Sequence, residues 1–267
     1  MINYDNSFVL IAGPCVIESE EHCLFMAKTL KKLAEKYDLS LVFKSSFDKA
    51  NRTSISSYRG PGFEEGLRIL QKVKDETGLK VISDVHETCQ VKKAAEVLDI
   101  IQVPALLSRQ TDLLVACGKT GKTVNIKKGQ FIAPENMGKA IEKVKSTGND
   151  NVYVTERGTS FGYNNLVVDF RSLIIMKQFA PVIFDCTHSV QLPSAAGSCS
   201  SGKHEYAFPL LRGALAVGID GAFMEVHHNP KSALCDGPNM LDLEEADEVF
   251  KYITKFLKWK DEHGFKY

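Results

Sequence analysis

Short apolar, β-branched runs alternate with longer amphipathic segments along nearly the whole chain, and this alternation constrains the fold more than any other feature. Eight such runs occur, and a segment with helical periodicity follows each of them. Eight strand–helix units favour a closed (β/α)8 TIM barrel, an α/β fold. An open doubly wound sheet is the alternative, although such sheets usually contain fewer strands. The predicted strands are residues 8–12, 41–43, 81–85, 100–103, 124–126, 152–154, 182–184 and 222–226.

The segments between these runs, and the one after the last, carry the apolar spacing of amphipathic helices. No linker, low-complexity tract or internal repeat interrupts the pattern, and a barrel of 267 residues is an ordinary single domain. We therefore expect one domain over residues 1–267. The predicted helices are residues 20–37, 63–77, 88–97, 111–119, 137–146, 166–179, 204–217 and 242–260.

The amino-acid composition limits the kinds of molecule that the protein can be expected to bind. The chain has 33 basic and 33 acidic residues, and this balance argues against nucleic acid or an anionic membrane as the main partner. No apolar run is long enough to span a bilayer, and the N-terminal MINYDNSF lacks the features of a signal peptide, so we expect a cytoplasmic protein. The seven cysteines are scattered without a CxxC pair, which argues against a disulfide framework.

Polar residues follow all eight predicted strands. Active sites of (β/α)8 barrels lie at the carboxyl ends of the strands, where such residues meet on one rim. A structural role is at least as plausible for each residue alone, but their joint position predicts a small-molecule active site. The residues at the strand ends include Cys15, Lys44, Asp84, Gln102, Lys127, Arg157, His188 and Glu225.

The second strand runs into the stretch FKSSFDKANRTS, which is rich in cations and hydroxyls. Cations that meet at one barrel mouth repel each other unless anions lie among them, so we expect substrates that carry phosphate and carboxylate. The alternative is a structural network in which Asp48, Asp84 and Glu156 neutralise the cations. The cations in question are Lys44, Lys49, Arg52, Lys127 and Arg157.

A thiol, an imidazole and two carboxylates follow strands one, seven and eight, which are close together in a closed barrel. This donor set suits a divalent ion such as zinc, iron or manganese. The predicted ligands are Cys15, His188, Glu225 and Asp236. Competing candidates nearby are His86, His227, His228 and Cys235.

Two glycine-bearing segments follow predicted strands. Residues 192–203, LPSAAGSCSSGK, have no hydrophobic period and are typical of a mobile loop that closes over substrate, or equally of a plain surface connection. Residues 158–165, GTSFGYNN, form a second loop at the barrel mouth.

Several long motifs, in the same order, resemble the 3-deoxy-D-manno-octulosonate 8-phosphate synthase family, and the resemblance runs nearly end to end. It implies the condensation of phosphoenolpyruvate with D-arabinose 5-phosphate and water, which yields the eight-carbon product and inorganic phosphate for the inner core of lipopolysaccharide. The motifs are IAGPCVIES, FKSSFDKANRTS, SYRGPG, SDVHE, IIQVPALLSRQTDLL, NIKKGQF, TERGTSFGYNNLVVDFRS, DCTHSVQLP and CDGPN.

The resemblance also implies roles for individual positions. The sugar phosphate is expected at Asn51, Arg52 and Thr53, completed by a neighbouring subunit of a homotetramer. His188 and Asp236 are candidate proton carriers as well as metal ligands. The phosphoenolpyruvate site is expected to comprise Lys44, Lys49, Gln102, Lys127 and Arg157, and the predicted substrate-binding set also includes Ser46 and Asp84.

The family divides by the residue that ends strand one: members with asparagine there need no metal, and members with cysteine do. Cys15 therefore resembles the metal-dependent branch. Thr53 replaces a usual serine, Leu106 replaces a frequent phenylalanine, and residues 194–196 contain less glycine than is common. These departures affect the expected loop closure rather than the reaction.

Three rival functions stay open from the sequence alone. A related synthase uses erythrose 4-phosphate, but it typically carries a Lys-Pro-Arg-Thr motif where this chain has Lys49-Ala50-Asn51-Arg52. A metal-dependent aldolase, which is a lyase, usually holds its ion with several histidines. A catalytically silent scaffold barrel would lack rim lysines or ligands, and this chain has both.

Overall fold

Eight parallel strands close into a barrel in the computed structural model, which describes residues 8–52, 54–193 and 201–264 of the chain. Each strand pairs with the next in sequence, and the first pairs with the last to complete the ring. The predicted (β/α)8 TIM barrel is thus confirmed, and the open sheet is excluded. The strands are β1 Val9–Gly13, β2 Ser40–Lys44, β3 Lys80–Asp84, β4 Ile100–Val103, β5 Thr123–Lys127, β6 Val152–Glu156, β7 Val182–Asp185 and β8 Gly221–Glu225.

A helix follows every strand, and local capping explains where the first and last helices begin. Ser19 accepts a hydrogen bond from the backbone N–H of His22, while Asp242 and Glu245 form a reciprocal capping box. The helices are α1 Glu20–Lys36, α2 Phe63–Thr77, α3 Thr88–Val97, α4 Thr111–Lys119, α5 Met137–Lys145, α6 Arg171–Lys177, α7 Ala207–Val217 and α8 Leu243–Glu262.

The predicted helix over residues 166–179 is wrong in its first part. Leu166–Val167 forms a short antiparallel strand with Thr159–Ser160, and α6 begins only at Arg171. Asp169 explains the late start, because its side chain accepts the backbone N–H of Arg171. The sequence GTSFGYNN is therefore the turn of a hairpin at the barrel mouth.

The segment predicted as a mobile loop is anchored at its two ends. Gln191–Leu192 pairs in antiparallel fashion with Ser201–Gly202, so the two ends of the segment lie side by side. Residues 194–200 between these strands lie outside the described residues, as does Thr53. The predicted helix over 204–217 starts with a 3-10 turn, His204–Tyr206, before α7.

The barrel interior begins with an apolar layer that is separate from the larger core between strands and helices. Successive side chains of a strand point to opposite sides, so residues two apart share a side. Each strand thus gives alternate residues to the interior and to the helices. The buried interior layer comprises Ile11, Val42, Ile82, Ile100, Tyr153, Ile183 and Phe223.

Gly13 stands where β1 would add a side chain to the next interior layer. A Cβ atom at this position would lie 2.0 Å from the carbonyl oxygen of Lys44, so only glycine permits the close approach of β1 and β2 at the rim.

All six cysteines in the described part of the chain are free, as the scattered pattern predicted. None of the described helices has both the length and the apolar character needed to cross a membrane.

Candidate active site

A polar layer lies directly above the apolar interior layer, two residues further along each strand. The alternation that buries Val42 also buries Lys44, and the same holds for Phe223 and Glu225. This layer brings together side chains that are far apart in sequence at the carboxyl end of the barrel. Its buried members are Lys44, Asp84, Gln102, Asn125, Lys127, Thr155, Asp185 and Glu225.

Glu225 lies between two of the predicted lysines. The ammonium of Lys44 donates to Glu225 Oε1 at 2.7 Å and to the carbonyl oxygen of Cys15 at 2.9 Å. Lys49 Nζ lies 3.8 Å from the same carboxylate oxygen. Burial opposes ionisation of Glu225, but His188 and these two lysines lower its pKa to about 2. Burial also opposes the charge of Lys49, yet the surrounding acidic groups hold its pKa well above the ordinary value.

Asp185 organises the opposite side of the mouth. It accepts a hydrogen bond from Lys127 Nζ, and His188 Nδ1 lies 2.7 Å from its Oδ2. Lys127 Nζ also lies 3.5 Å from the centre of the Phe223 ring. Burial lowers the pKa of Lys127, and the Asp185 carboxylate only partly offsets this. Asp185 therefore orients the lysine and lies within ion-pair distance of the imidazole whose Nε2 faces Glu225.

A chain of hydrogen bonds, here called the polar ladder, crosses the strands from β2 to β6. Ser46 Oγ donates to Asp84 at 2.7 Å, and the Gln102 amide donates to the other oxygen of Asp84. The Asn125 amide donates to Gln102 Oε1 at 2.9 Å, and Thr155 Oγ1 donates to Asn125 Oδ1 at 2.7 Å. Burial disfavours the ionised form of Asp84, but Lys49 and Lys44 hold its pKa below the ordinary value.

The four predicted metal ligands fall into two adjoining groups that share Asp236: His188 and Glu225 belong to one, and Cys15 belongs to the other together with Cys235. His188 Nε2 lies 3.6 Å from Glu225 Oε1 and 3.9 Å from Asp236 Oδ2, and Cys15 Sγ lies 3.7 Å from Asp236 Oδ2. A tetrahedral ion with bonds of about 2.0–2.3 Å separates its ligand atoms by about 3.3–3.8 Å. The spacing within each group is close to this range, and its chemistry suits a divalent ion, with Asp236 as the ligand common to both groups. Burial and the adjacent Cys235 raise the pKa of the Cys15 thiol well above its ordinary value.

The predicted sugar-phosphate segment is only partly at this site. Arg52 Nη1 donates to Cys235 Sγ at 2.8 Å, and Cys235 Sγ in turn lies 3.1 Å from Cys15 Sγ. Asn51 is exposed, and Thr53 lies outside the described residues. The guanidinium of Arg52 thus contacts Cys235, which lies next to the predicted ligand Cys15, rather than pointing away from the mouth.

Arg157 is buried at the rim, with Nη2 donating to Gln191 Oε1 at 3.0 Å. Its Nη1 is buried and has no hydrogen-bond partner among the described residues. Burial lowers the pKa of this guanidinium. A buried, unpaired donor is costly, and an anionic oxygen would satisfy it.

The acids proposed to neutralise the rim cations are mostly engaged elsewhere. Asp48 forms a two-point ion pair with Arg59, and Glu156 accepts the backbone N–H groups of Arg157 and Gly158. Glu156 also lies 3.5 Å from the buried Lys128. Asp84 alone of the three acts on the rim lysines, while Glu225 and Asp185 form the direct ion pairs.

The competing metal ligands separate into different groups. Cys235 is close to Cys15 and Asp236, whereas His227 and His228 gather around His22. His86 packs edge-on against Phe47 and belongs to no ligand group found in the described ranges.

Asn125, Thr155 and Asp185 occupy the polar layer but were not singled out from the sequence. The alternation of side chains along a strand could have revealed them, because each lies two positions from another residue that faces the barrel interior. Asn125 precedes Lys127 by two, Thr155 follows Tyr153 and Asp185 follows Ile183. A polar residue at an inward position of a barrel strand is the pattern that would have found them.

Sequence comparison finds a matching protein family and several similar proteins of known name. The sequence pattern of the DAHP synthetase I family matches residues 1–259. A protein of Syntrophotalea carbinolica named 2-dehydro-3-deoxyphosphooctonate aldolase is 58% identical over 243 residues, which cover 91% of this chain and 88% of the relative. A protein of the same name from Geobacter sulfurreducens is 58% identical over 253 residues, which cover 94% and 93%. One from Campylobacter jejuni subsp. doylei is 58% identical over 246 residues, which cover 88% and 92%.

Proposed function

This chain belongs to the DAHP synthetase I family, and from that premise we propose that it condenses phosphoenolpyruvate with D-arabinose 5-phosphate. Water is the third reactant, and the products are 3-deoxy-D-manno-octulosonate 8-phosphate and inorganic phosphate. The observation that carries this proposal is the identity of 58% to relatives named for that eight-carbon product, over at least 88% of both chains. The term aldolase in their name refers to the carbon–carbon bond, which a synthase forms.

The cationic polar layer supports binding of phosphoenolpyruvate. The substrate carries a carboxylate and a phosphate, and Lys127 and Arg157 are buried cations with donor capacity at the mouth. Lys44, Lys49 and Gln102 complete the proposed set, with Ser46 and Asp84 fixing Gln102 through the polar ladder. Holding the two reactants in a reactive geometry can lower the barrier by about 7–11 kcal/mol in ideal cases.

In the proposed reaction, C3 of phosphoenolpyruvate attacks the aldehyde carbon of the sugar. Water adds at C2, and the resulting phosphohemiketal loses phosphate by cleavage of its C–O bond. His188 is a candidate proton carrier, with Nδ1 2.7 Å from Asp185 and Nε2 next to Glu225 and Asp236, but this role competes directly with metal binding at Nε2. Asp236 is the other candidate proton carrier.

Cys15, His188, Glu225 and Asp236 would hold zinc, iron or manganese, as their spacing fits such an ion. When bound, the ion supplies Lewis-acid chemistry, which lowers the pKa of water or polarises an oxygen. Cys15→Ser separates this proposal from a metal-free enzyme. Full activity of that variant after exhaustive chelation would contradict the metal assignment.

The sugar phosphate is proposed to bind at Asn51, Arg52 and Thr53. Asn51 is exposed, which suits a site completed by a neighbouring subunit of a homotetramer. Size measurement by light scattering tests the tetramer directly. The proposed place of the reaction is the cytoplasm, where its product would supply the inner core of lipopolysaccharide.

The deciding assay measures phosphate release from phosphoenolpyruvate with each sugar in turn. We expect turnover with D-arabinose 5-phosphate and at least about tenfold lower kcat/KM with erythrose 4-phosphate. A preference for erythrose 4-phosphate would instead support the related heptulosonate synthase, the second candidate, because the matching family carries that name. Cleavage or condensation that proceeds without phosphoenolpyruvate would support a lyase.

A further inference from the structure

Three histidines form a second group of potential ligands that shares no residue with the donor set around Cys15. His22 lies in the first turn of α1, whereas His227 and His228 follow β8. One ring nitrogen of each lies within 4.8 Å of one nitrogen of each of the other two. His22 Nε2 and His228 Nδ1 are 3.1 Å apart, and the rings of His227 and His228 stack at 4.5 Å. We call this group the three-histidine cluster.

Two nitrogens on the outer side of the cluster lack an aligned hydrogen-bond partner among the described residues. His22 Nδ1 and His227 Nε2 are buried and have no well-aligned hydrogen-bond partner in the described part of the chain. His227 is fully buried, whereas His228 is exposed and opens the cluster to solvent. Burial lowers the pKa of His22 to about 4, and the other two imidazoles add to this effect against the opposing charge of Glu18. The ring is therefore neutral near pH 7, so that its Nε2 could bind a cation in place of the contact with His228.

The carboxylate of Glu18 lies next to two of the three imidazole rings. Its Oε1 lies 3.4 Å from His227 Nε2, and its Oε2 lies 4.0 Å from His22 Nδ1. A carboxylate that faces the outer nitrogen of a histidine favours a proton there and leaves the inner nitrogen free to bind metal. His22 Nε2 and His227 Nδ1 are the inner nitrogens in this arrangement. His227 Nδ1 already acts as an acceptor, from the backbone N–H of Asn229 at 3.0 Å.

We propose that His22, His227 and His228 bind a borderline divalent cation, zinc being the best match, with Glu18 orienting two of the rings. Three imidazole ligands and an open fourth position suit zinc, and cobalt(II) takes the same geometry. In the bound state the cation replaces the His22–His228 contact and the Asn229 contact. The two outer nitrogens then close on Glu18.

The position of the cluster gives this second cation a structural role. It joins the beginning of α1 to the segment after β8, across the seam where the first and last barrel units meet. The same segment continues to Asp236, and Glu18 also accepts the backbone N–H of Leu234 at 2.9 Å. A cation here would fix the loop that carries a proposed ligand of the catalytic ion.

Titration of metal-free protein with cobalt(II), followed by visible and near-ultraviolet absorption, tests the proposal. The centre at Cys15 includes a thiolate and adds a sulfur-to-metal charge-transfer band, whereas the three-histidine cluster gives only ligand-field bands. We expect two equivalents per chain in the native protein. The variant H22Q/H228Q should bind one equivalent with its thiolate band intact, and Cys15→Ser should keep the ligand-field bands of the histidine centre without the thiolate band.

His204→Gln is the matched control, because this half-exposed histidine lies outside the cluster and should leave both equivalents in place. In the Cys15→Ser background, zinc should also raise the melting temperature by roughly 5 °C at 100-fold excess over Kd, and H22Q/H228Q should abolish that rise. Binding of only one equivalent that carries the thiolate band by the native protein overturns the proposal, whereas one equivalent without that band would count against the Cys15 centre instead. A second equivalent that persists in H22Q/H228Q also overturns the proposal. Neither outcome bears on the synthase reaction, which is assayed separately.

Discussion

Removing the Lys44 ammonium from beneath Glu225 should destabilise the protein severely. Both side chains are 1% exposed, and their charged atoms are 2.7 Å apart. In Lys44→Met the carboxylate stays buried without its nearest cation, and the carbonyl of Cys15 keeps only the backbone N–H of Ser46 as a donor. The comparison variants are Glu225→Gln and the double variant K44M/E225Q, which removes both charges at once.

The magnitude follows from distance and burial. At 2.7 Å and an effective dielectric constant of about 20, the attraction is about 6 kcal/mol before desolvation is subtracted. Removal of one partner of a buried pair typically costs about 3–5 kcal/mol. Lys49 at 3.8 Å and His188 at 3.6 Å still face Glu225, so we expect a loss of about 3 kcal/mol for Lys44→Met. The double variant should recover about 2 kcal/mol relative to the sum of the single variants.

Urea unfolding at pH 7, in the presence of chelator, measures all four free energies of unfolding without a contribution from metal. Lys36→Met is the control, because Lys36 and Asp247 are also 2.7 Å apart but 54% and 32% exposed. That variant should lose far less stability than Lys44→Met, because solvent screens an exposed pair. Equal losses for Lys44→Met and Lys36→Met, or single-variant effects that simply add, would refute the argument from burial.

Three further outcomes follow from the site. Asp84→Asn should cost roughly 2–3 kcal/mol at pH 7, since it weakens charge-assisted hydrogen bonds. The pKa of Asp84 is held below its ordinary value, so the carboxylate stabilises the folded protein above about pH 4, and this stabilisation is lost as the pH falls further. The unfolding curves of the variant and the native protein should therefore converge in acid. Arg157→Lys should raise KM for phosphoenolpyruvate roughly 10–100-fold in steady-state assays, and an unchanged KM would contradict the role of the free Nη1. Gly13→Ala should lower stability by more than Gly78→Ala does, because the added Cβ meets the Lys44 carbonyl in the first case and open space in the second.

The sequence was sufficient to predict the barrel and its rim. Parallel strands of a barrel are buried on both faces, so each reads as an apolar run that ends where polar residues begin. The predicted strand over residues 81–85 differs from Lys80–Asp84 by only one residue at each end. Closure of the barrel then brought Cys15, His188 and Glu225 into two adjoining ligand groups that share Asp236, although they are up to 210 positions apart.

Side-chain pairing was harder to predict, because it depends on which neighbour a charge meets in three dimensions. The alternative to substrate anions was a network in which Asp48 helps to neutralise the rim cations, but Asp48 pairs with Arg59 instead. The helix predicted over 166–179 failed in its first turn, since apolar residues at Leu166 and Val167 also satisfy a hairpin that packs on the barrel mouth. Tertiary contacts decided both cases.

The polar ladder also determines the direction in which its amides face. Asp84 is ionised and can only accept, so Gln102 must present its NH2 group to it and its oxygen to Asn125. Asn125 is oriented by the same rule, and Thr155 must donate. One anion on β3 thus sets the orientation of every donor as far as β6. Since both ends of an amide are nearly the same size, a neutral residue at position 84 would leave two opposite arrangements of the ladder close in energy, and the substrate would meet a mixed population of surfaces.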